Sequence, residues 1–468
     1  MTAPAPSSAP PPPPLGAGTR AAYGASAFGE NLAINSINQL ANAVFNLTLG
    51  VPLLLVGLAL SLPRLIDLFL DPLVGDASDR LRSRWGRRRP FILVGALACA
   101  VVAAGIWFFP EGRSTTFYFW WLLGGCAAMS VAYSLLIVPY GALGLELATD
   151  YHERTRLMGV KSMFHKASGV VNQWLLKWVR DAGAGNLIAG GRVCAPLVGL
   201  AVAGLGVLTV WRVRERPAPV ATAPAPRLGL RESWSLTLRQ PDFRRLVLAQ
   251  VLIYMSFLVI DTTGFYLNVF YVHGGELGAG AAMKGWYGTA FQLSGLLAVP
   301  LIVRLARRIG KKEAFLLCTV TIAIGGVAKW FCYVPGAGWW LLLPSALMGP
   351  GLVAVMVLTP SMTADLCDVE AARGGVRREG VFNAVLAWSL KAALTGSILL
   401  ANVVLHLAGW DTTRQAAQDA GTFLAMRITF AGGTVVLAGV AACIIQRYTL
   451  TAETVRAAQA RAAAAAAG

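Results

Sequence analysis

Two aspartates four residues apart, Asp67 and Asp71, stand inside a largely apolar run over residues 53–79. On a helix that spacing puts both carboxylates on one face. An ionised carboxylate in hydrocarbon costs several kcal/mol unless it is paired or faces water. Two so close together cannot both stay charged without a counter-charge. A sodium ion or a proton would supply one, hard oxygen ligands suiting Na⁺; a structural salt bridge is the competing reading. Counting back from Arg80, Asp71 lies about 13 Å and Asp67 about 20 Å from the end of the run. Lys391 sits about 20 Å deep in a later run by the same rise. It is the natural partner of the carboxylates when a cation is absent, since the end of its helix is too far for snorkelling. Lys329, near the end of its own run, is expected to snorkel, and Asp261 is ambiguous.

Further polar residues share faces. Asn31, Asn35, Asn38 and Asn42 follow the spacing i, i+4, i+7, i+11, one helical stripe with Glu30 and Gln39 at its edge. Side-chain amides both donate and accept, which suits a polyhydroxylated ligand; they also serve as glue between helices. Trp388 precedes Lys391 by three residues and shares its face, either to stack on a sugar or to pack. Trp120, Trp121, Trp339 and Trp340 fall at the ends of runs and read as an interfacial belt.

The elements that carry these residues are long and apolar. Of 468 residues, 56% are hydrophobic and 13% charged, against about 25% charged in soluble domains. Runs near 22–48, 53–79, 90–110, 116–147, 156–178, 190–211, 243–271, 283–303, 314–334, 338–365, 378–407 and 421–446 are each long enough to cross a bilayer. The expectation is an all-α membrane protein with twelve transmembrane helices. Residues 1–19 form a Pro- and Ala-rich tail with no signal-peptide pattern. Two six-helix halves, 20–211 and 243–446, flank a proline-bearing linker over 212–242, and a second tail covers 447–468.

Six arginines between Arg80 and Arg89, eight from Arg212 to Arg245, and the group Arg304, Arg307, Arg308, Lys311 and Lys312 all lie in alternate loops. The opposite loops are nearly bare, so both termini are expected in the cytoplasm. The net charge of +17 therefore sits in inner loops and does not imply nucleic-acid binding. Arg80, Leu81, Arg84, Gly86 and Phe91 match Arg304, Leu305, Arg308, Gly310 and Phe315 at a constant offset of 224 residues. Parallel six-helix repeats describe the major facilitator fold, whose site lies at the midplane between the halves. Seven scattered cysteines give neither a disulfide framework nor a zinc site. A phosphate-binding loop, a G-x-S-x-G elbow and an H-E-x-x-H helix are all missing, which argues against an ATP-driven pump and against an enzyme.

Three stretches together resemble the glycoside–pentoside–hexuronide:cation symporter family: DLFLDPLVGDASDRLRSRWGRRRPF at 67–91, VPYGALGLELATDYHERTRLMGVKSMF at 138–164 and SMTADLCDVEAARGGVRREGVFNAVLAWSLK at 361–391. The resemblance covers roughly residues 22–446. It implies cation binding at Asp67 and Asp71 and a coupling role for Lys391, twelve residues after Glu379. It also implies substrate contacts near Lys161, which stands close to a family arginine, and around Ser134 and Tyr140. The melibiose branch has a carboxylate where Ile137 stands, an aromatic at Gly141 and an acid at Asn31. Melibiose itself is therefore not expected, and Na⁺ against H⁺ stays open.

The expected function is cation-coupled symport of a sugar or glycoside by alternating access in the inner membrane. The coupling ion is Na⁺ or H⁺, no other cofactor is needed, and the working form is a monomer surrounded by lipid. Substrate would meet Asn31, Asn35, Asn38, Ser134, Tyr140, Lys161 and Trp388. Asp79, Arg80, Arg84, Arg87, Glu146, Asp150, Asp365, Asp368 and Arg377 are expected to gate the cytoplasmic side through charge-assisted contacts. A lysophospholipid or other amphiphile carrier of the same superfamily is the runner-up, and a non-transporting membrane sensor comes after it.

Overall fold

The computed structural model describes residues 15–147, 151–215, 240–372, 379–411, 414–450, 453–455 and 457. Among them every regular element is a helix. Helix α1 (Ala17–Ala41) runs into a π-helical turn, Asn42–Thr48, and α2 (Leu53–Ser61) and α3 (Arg64–Arg80) follow. The chain continues through α4 (Arg89–Gly105), α5 (Thr115–Leu147), α6 (Tyr151–Ala182) and α7 (Leu187–Arg212). Then come α8 (Pro241–Tyr266) with a π turn at Leu267–Val272, α9 (Leu277–Ile309), α10 (Lys311–Cys332), α11 (Leu342–Ala372) and α12 (Glu379–Leu407). A short α13 (Ala420–Arg427) leads through Ile428–Gly432 into α14 (Gly433–Gln446).

Two expected boundaries shift. Helix α1 begins at Ala17, inside the expected tail, because Ala17–Ala22 is rich in good helix formers. The run over 53–79 breaks between Ser61 and Arg64, where Pro63 has no N–H to continue the ladder. Most of the expected linker, residues 216–239, lies outside the described residues. At the other end Tyr448 is buried and its hydroxyl donates to the Met362 carbonyl, so the last helix is followed by anchored chain.

Among the described residues, nine helices are long and apolar enough to cross a membrane, and Arg89–Gly105 is apolar but shorter. Helices α1 and α6 fall outside that group because they carry the polar stripe and several charges. The exposed surface supports the same solvent: Val101, Leu200, Leu297 and Phe331 all point outward in a way that hydrocarbon tolerates and water does not.

Packing falls into two groups of helices. Helix α1 packs on α6 and α7, and α4 on α5 and α7; α11 packs on α9 and α10, and α8 on α12 and α14. Among the described residues the most extensive pairings between the groups are α6 with α9 and α2 with α12, and α3 also touches α12. They are close where glycine allows it: a Cβ on Gly57 would lie 2.9 Å from Cβ of Asn402, and one on Gly285 would meet the Trp174 ring. The Tyr266 hydroxyl donates to Asn46 Oδ1 at 2.7 Å near the same end. These contacts lie toward the end opposite the arginine-rich loops.

The repeated motif has a structural counterpart. Gly86 and Gly310 hold φ of +98° and +99°, each in the short loop that leads into the next helix. Only glycine adopts that conformation without a Cβ clash.

Candidate functional site

Helices α3 and α5 set two carboxylates against two hydroxyls at matching spacing. Asp67 and Asp71 are four apart on α3, and Ser130 and Ser134 are four apart on α5. The Ser134 hydroxyl donates to Asp71 Oδ1 at 2.7 Å, and Ser130 stands beside Asp67. Lys391, from α12 in the other group of helices, donates to the second oxygen, Asp71 Oδ2. The lysine thus reaches Asp71 rather than Asp67. Asp67 is buried, and its Oδ1 has no hydrogen-bond partner. Arg64, one turn earlier on α3, faces a small cavity with Asn38 and Ser130 and is electrostatically coupled to Asp67. No group of three or more His, Cys, Asp or Glu converges among the described residues.

The asparagine stripe does not behave as one set. Asn31 is buried and donates through Nδ2 to His165 Nε2 on α6 at 3.0 Å, while Asn172 Nδ2 donates to Asn31 Oδ1 at 3.1 Å. Asn35 turns back to the Asn31 carbonyl at 3.1 Å, and Asn38 looks toward Arg64. Asn42 is buried at the π turn. Polar residues in the middle of a helix that bond across to a neighbour tie the helices together as well as line a chamber.

Tyr140 is fully enclosed: it stacks on Tyr23 with ring centroids 4.5 Å apart, and its hydroxyl donates to the Tyr23 carbonyl. What it offers the site is its ring, over which Lys161 Nζ sits at 4.9 Å. Trp388 is half-buried on α12. Lys329 departs from expectation. It does not snorkel; it is buried, donates to Thr434 Oγ1 at 3.2 Å, and lies over the Phe430 ring. A place near the end of a helix does not settle the direction, because a long apolar stem can run inward between helices as readily as outward. It lines a cavity of about 40 Å³ with Gln173, Tyr287 and Tyr333, large enough for about two waters. The side chain of Asp261 lies outside the described residues.

Among the described residues, the expected gating charges pair inside each group of helices rather than between them. Arg87 and Arg88 hold Glu146 at 2.5 and 2.6 Å, Arg88 also meets Asp79 at 3.0 Å, and Arg80 pairs with Asp76. Lys311 pairs with Asp365 at 2.5 Å in the second group. Arg84 is exposed. Asp150, Arg377 and the side chain of Asp368 lie outside the described residues.

Several functional candidates escaped sequence reasoning. His165, Asn172 and Lys166 sit on α6, whose amides, histidines and charges make it too polar to read as a plain apolar span. The matched spacing of Ser130 and Ser134 to the aspartates was a readable signal. Glu215 accepts the backbone N–H groups of Arg87, Arg88 and Arg89 at 2.9, 2.8 and 2.8 Å. It thereby closes the N-terminus of α4 with a negative charge. No spacing rule joins residues 128 apart.

With this geometry in place, residues 22–452 match the family model described as MFS/sugar transport protein. An uncharacterized symporter of Synechocystis is 25% identical, the match covering 84% of this chain and 86% of the relative. The isoprimeverose transporter of Lactiplantibacillus pentosus is 22% identical over 92% of this chain and 88% of its own. In fold, the chain is similar to a bacterial homolog of the human lysosomal transporter Spinster, with a TM-score of 0.65 at 14% identity, covering 95% and 97% of the two chains.

Proposed function

We propose that this chain, which belongs to the MFS/sugar transport protein family and is a multi-pass membrane transporter rather than an enzyme, moves a sugar or glycoside together with Na⁺ or H⁺. In this reading α1, α4 and α6 join the nine apolar helices to make twelve spans in two six-helix halves. Both termini face the cytoplasm of a cell whose inner membrane holds the protein as a monomer. The isoprimeverose transporter among its relatives supports a sugar as cargo.

One observation carries the mechanism: Lys391 of the second half holds Asp71 of the first. A cation entering between Asp67 and Asp71 competes with the lysine for the carboxylates, because the shared negative charge can satisfy only one of them fully. Occupancy of the site is thereby linked to a contact between the halves, which is what coupling requires. The bare Oδ1 of Asp67 and the hydroxyls of Ser130 and Ser134 supply oxygen ligands. Sugar hydroxyls would meet Asn31, Asn35 and Lys161 from the first half and Trp388 from the second. The halves meet away from the arginine loops, which corresponds to a carrier closed on the outside and open inward. The ion pairs of Arg87 and Arg88 with Glu146, and of Lys311 with Asp365, then hold each half rigid while it rocks.

The test is uptake into proteoliposomes. A panel of radiolabelled sugars, isoprimeverose among them, is offered under imposed Na⁺ or H⁺ gradients. Accumulation should require one gradient and fall at least about tenfold in Asp71→Asn, a loss of about 1.4 kcal/mol of coupling. Uptake that ignores both gradients, or coupling undiminished in Asp71→Asn, would end the reading.

A further inference from the structure

A second acid lies apart from the aspartates, and the transport mechanism above does not use it. Glu30 on α1 is buried, with only 5% of its side chain exposed and no hydrogen-bond partner at Oε2. Its Oε1 is 3.8 Å from His165 Nδ1, while 41% of the His165 side chain is exposed. An ionised carboxylate that is buried with a bare oxygen costs several kcal/mol, so this group needs a proton or a cation. The imidazole is the way in: it reaches open space on one side and the acid on the other.

The hydrogen bonds around the ring fix its chemistry. Asn31 Nδ2 can only donate, so His165 Nε2 accepts and its proton resides on Nδ1, facing Glu30. Arrival of a second proton at Nε2 removes the lone pair that the Asn31 amide uses. The Asn31 amide must then turn its oxygen toward the ring, giving up the bond that Asn172 donates to Oδ1. Transfer of the Nδ1 proton to Glu30 Oε1, after a small rotation or through one water, leaves a neutral imidazole beside a neutral carboxyl. The bonds broken and formed are N–H and O–H, and charge is conserved.

We propose that Glu30, His165 and Asn31 form a proton-binding relay, distinct from Asp67 and Asp71, in which protonation reorients the Asn31 amide. That Asn31 also meets the sugar rests on the proposed function; the proton site itself does not. The groups facing Glu30 are few. Helix α6 brings His165 and Lys161, with Lys166 beside the histidine; α5 brings Tyr133 and Tyr140; α4 brings Cys99; and α1 itself brings Tyr23. Helix α7 meets this stretch with Val202 and Leu205, at Gly29. Lys161, over the Tyr140 ring, acts on Glu30 as a charge, and His165, with Nδ1 3.8 Å from Oε1, is the group placed to pass a proton.

The probe is the proton alone. Infrared difference spectra of the full chain in lipid, recorded against pH, count protonated carboxyls without any substrate. The wild type should show a titrating carboxyl band that Glu30→Gln removes, Glu30→Asp keeps, and Asp67→Asn leaves in place. His165→Gln should move the titration of that band by about one pH unit or more, tenfold in proton concentration. Should Glu30→Gln fail to assemble, the His165→Gln shift together with band retention in Glu30→Asp decides. Bands unchanged in Glu30→Gln, or a Glu30 band indifferent to His165→Gln, would overturn the relay. Either result is independent of the sugar uptake assay, so a failed transport reading and a failed relay remain distinct.

Discussion

Asp71 has two oxygens and both are engaged, one by Ser134 on a neighbouring helix and one by Lys391 across the molecule. Removing one partner of such a pair leaves a charge without its complement, which is worse than removing both. Lys391 and Asp71 keep 43% and 24% of their side chains exposed, so solvent screens the pair and its coupling should be about 1 kcal/mol. In thermal melts of purified protein, Lys391→Met and Asp71→Asn are each expected to melt below Asp71→Asn/Lys391→Met. A double variant less stable than both singles would argue against a direct pair. The aspartates and the lysine were legible because an ionisable residue stands out in an apolar run, whereas the depth count matched Lys391 with Asp67 and the structure pairs it with Asp71. Arg64 stood well inside the same run and was passed over, although by the same reasoning a charge there calls for a partner.

At the scale of elements, the repeated loop before α4 and α10 carries two separable effects. Gly310→Ala forces a Cβ into φ of +99° with ψ of 157°, a region all but confined to glycine, which should cost about 1–3 kcal/mol and lower the melting temperature. At both positions the added Cβ would lie 2.5 Å from a carboxylate oxygen, of Glu313 at Gly310 and of Glu215 at Gly86, but Glu215 is held by three backbone N–H groups and cannot swing aside without losing them, so the loss in Gly86→Ala should be larger. Glu215→Gln leaves the backbone alone and removes only the charge at the N-terminus of α4, an effect of about 0.5–1 kcal/mol that shrinks as salt rises. Melting curves at two salt concentrations separate the three variants. Hydropathy finds the plain helices well. It underrates α1 and α6 for a physical reason: the amides and charges that bond these two helices to each other are the same groups that lower their apolar character.

For the whole molecule, the contacts between the halves make a prediction about movement. In alternating access the pairing of α2 with α12 must open for the outer side to admit substrate. A Cβ at Gly57 approaches that of Asn402 closely enough for a disulfide after slight relaxation. Gly57→Cys/Asn402→Cys should therefore cross-link under oxidation and stop uptake, and dithiothreitol should restore it. Full uptake with the cross-link in place would show that this seam does not open. Arginine pairs such as Arg87–Glu146 stay within one half, so neutralising Glu146 should lower stability more than it alters which side is accessible to thiol labelling.

Composition and run length by themselves determined that this chain is helical and lives in a membrane, because apolar length answers directly to the thickness of the bilayer. Spacing determined that Asp67 and Asp71 share a face and that the Gly86 and Gly310 loops repeat, since these are relations within a single helix or between copies of one motif. Partnership across the chain belonged to tertiary structure: Lys391 choosing Asp71, Glu215 closing α4, Lys329 turning inward, and His165 standing between Glu30 and Asn31. Each depends on how helices far apart in sequence are rotated and packed against one another, and helical periodicity says which face a residue is on without saying what that face meets.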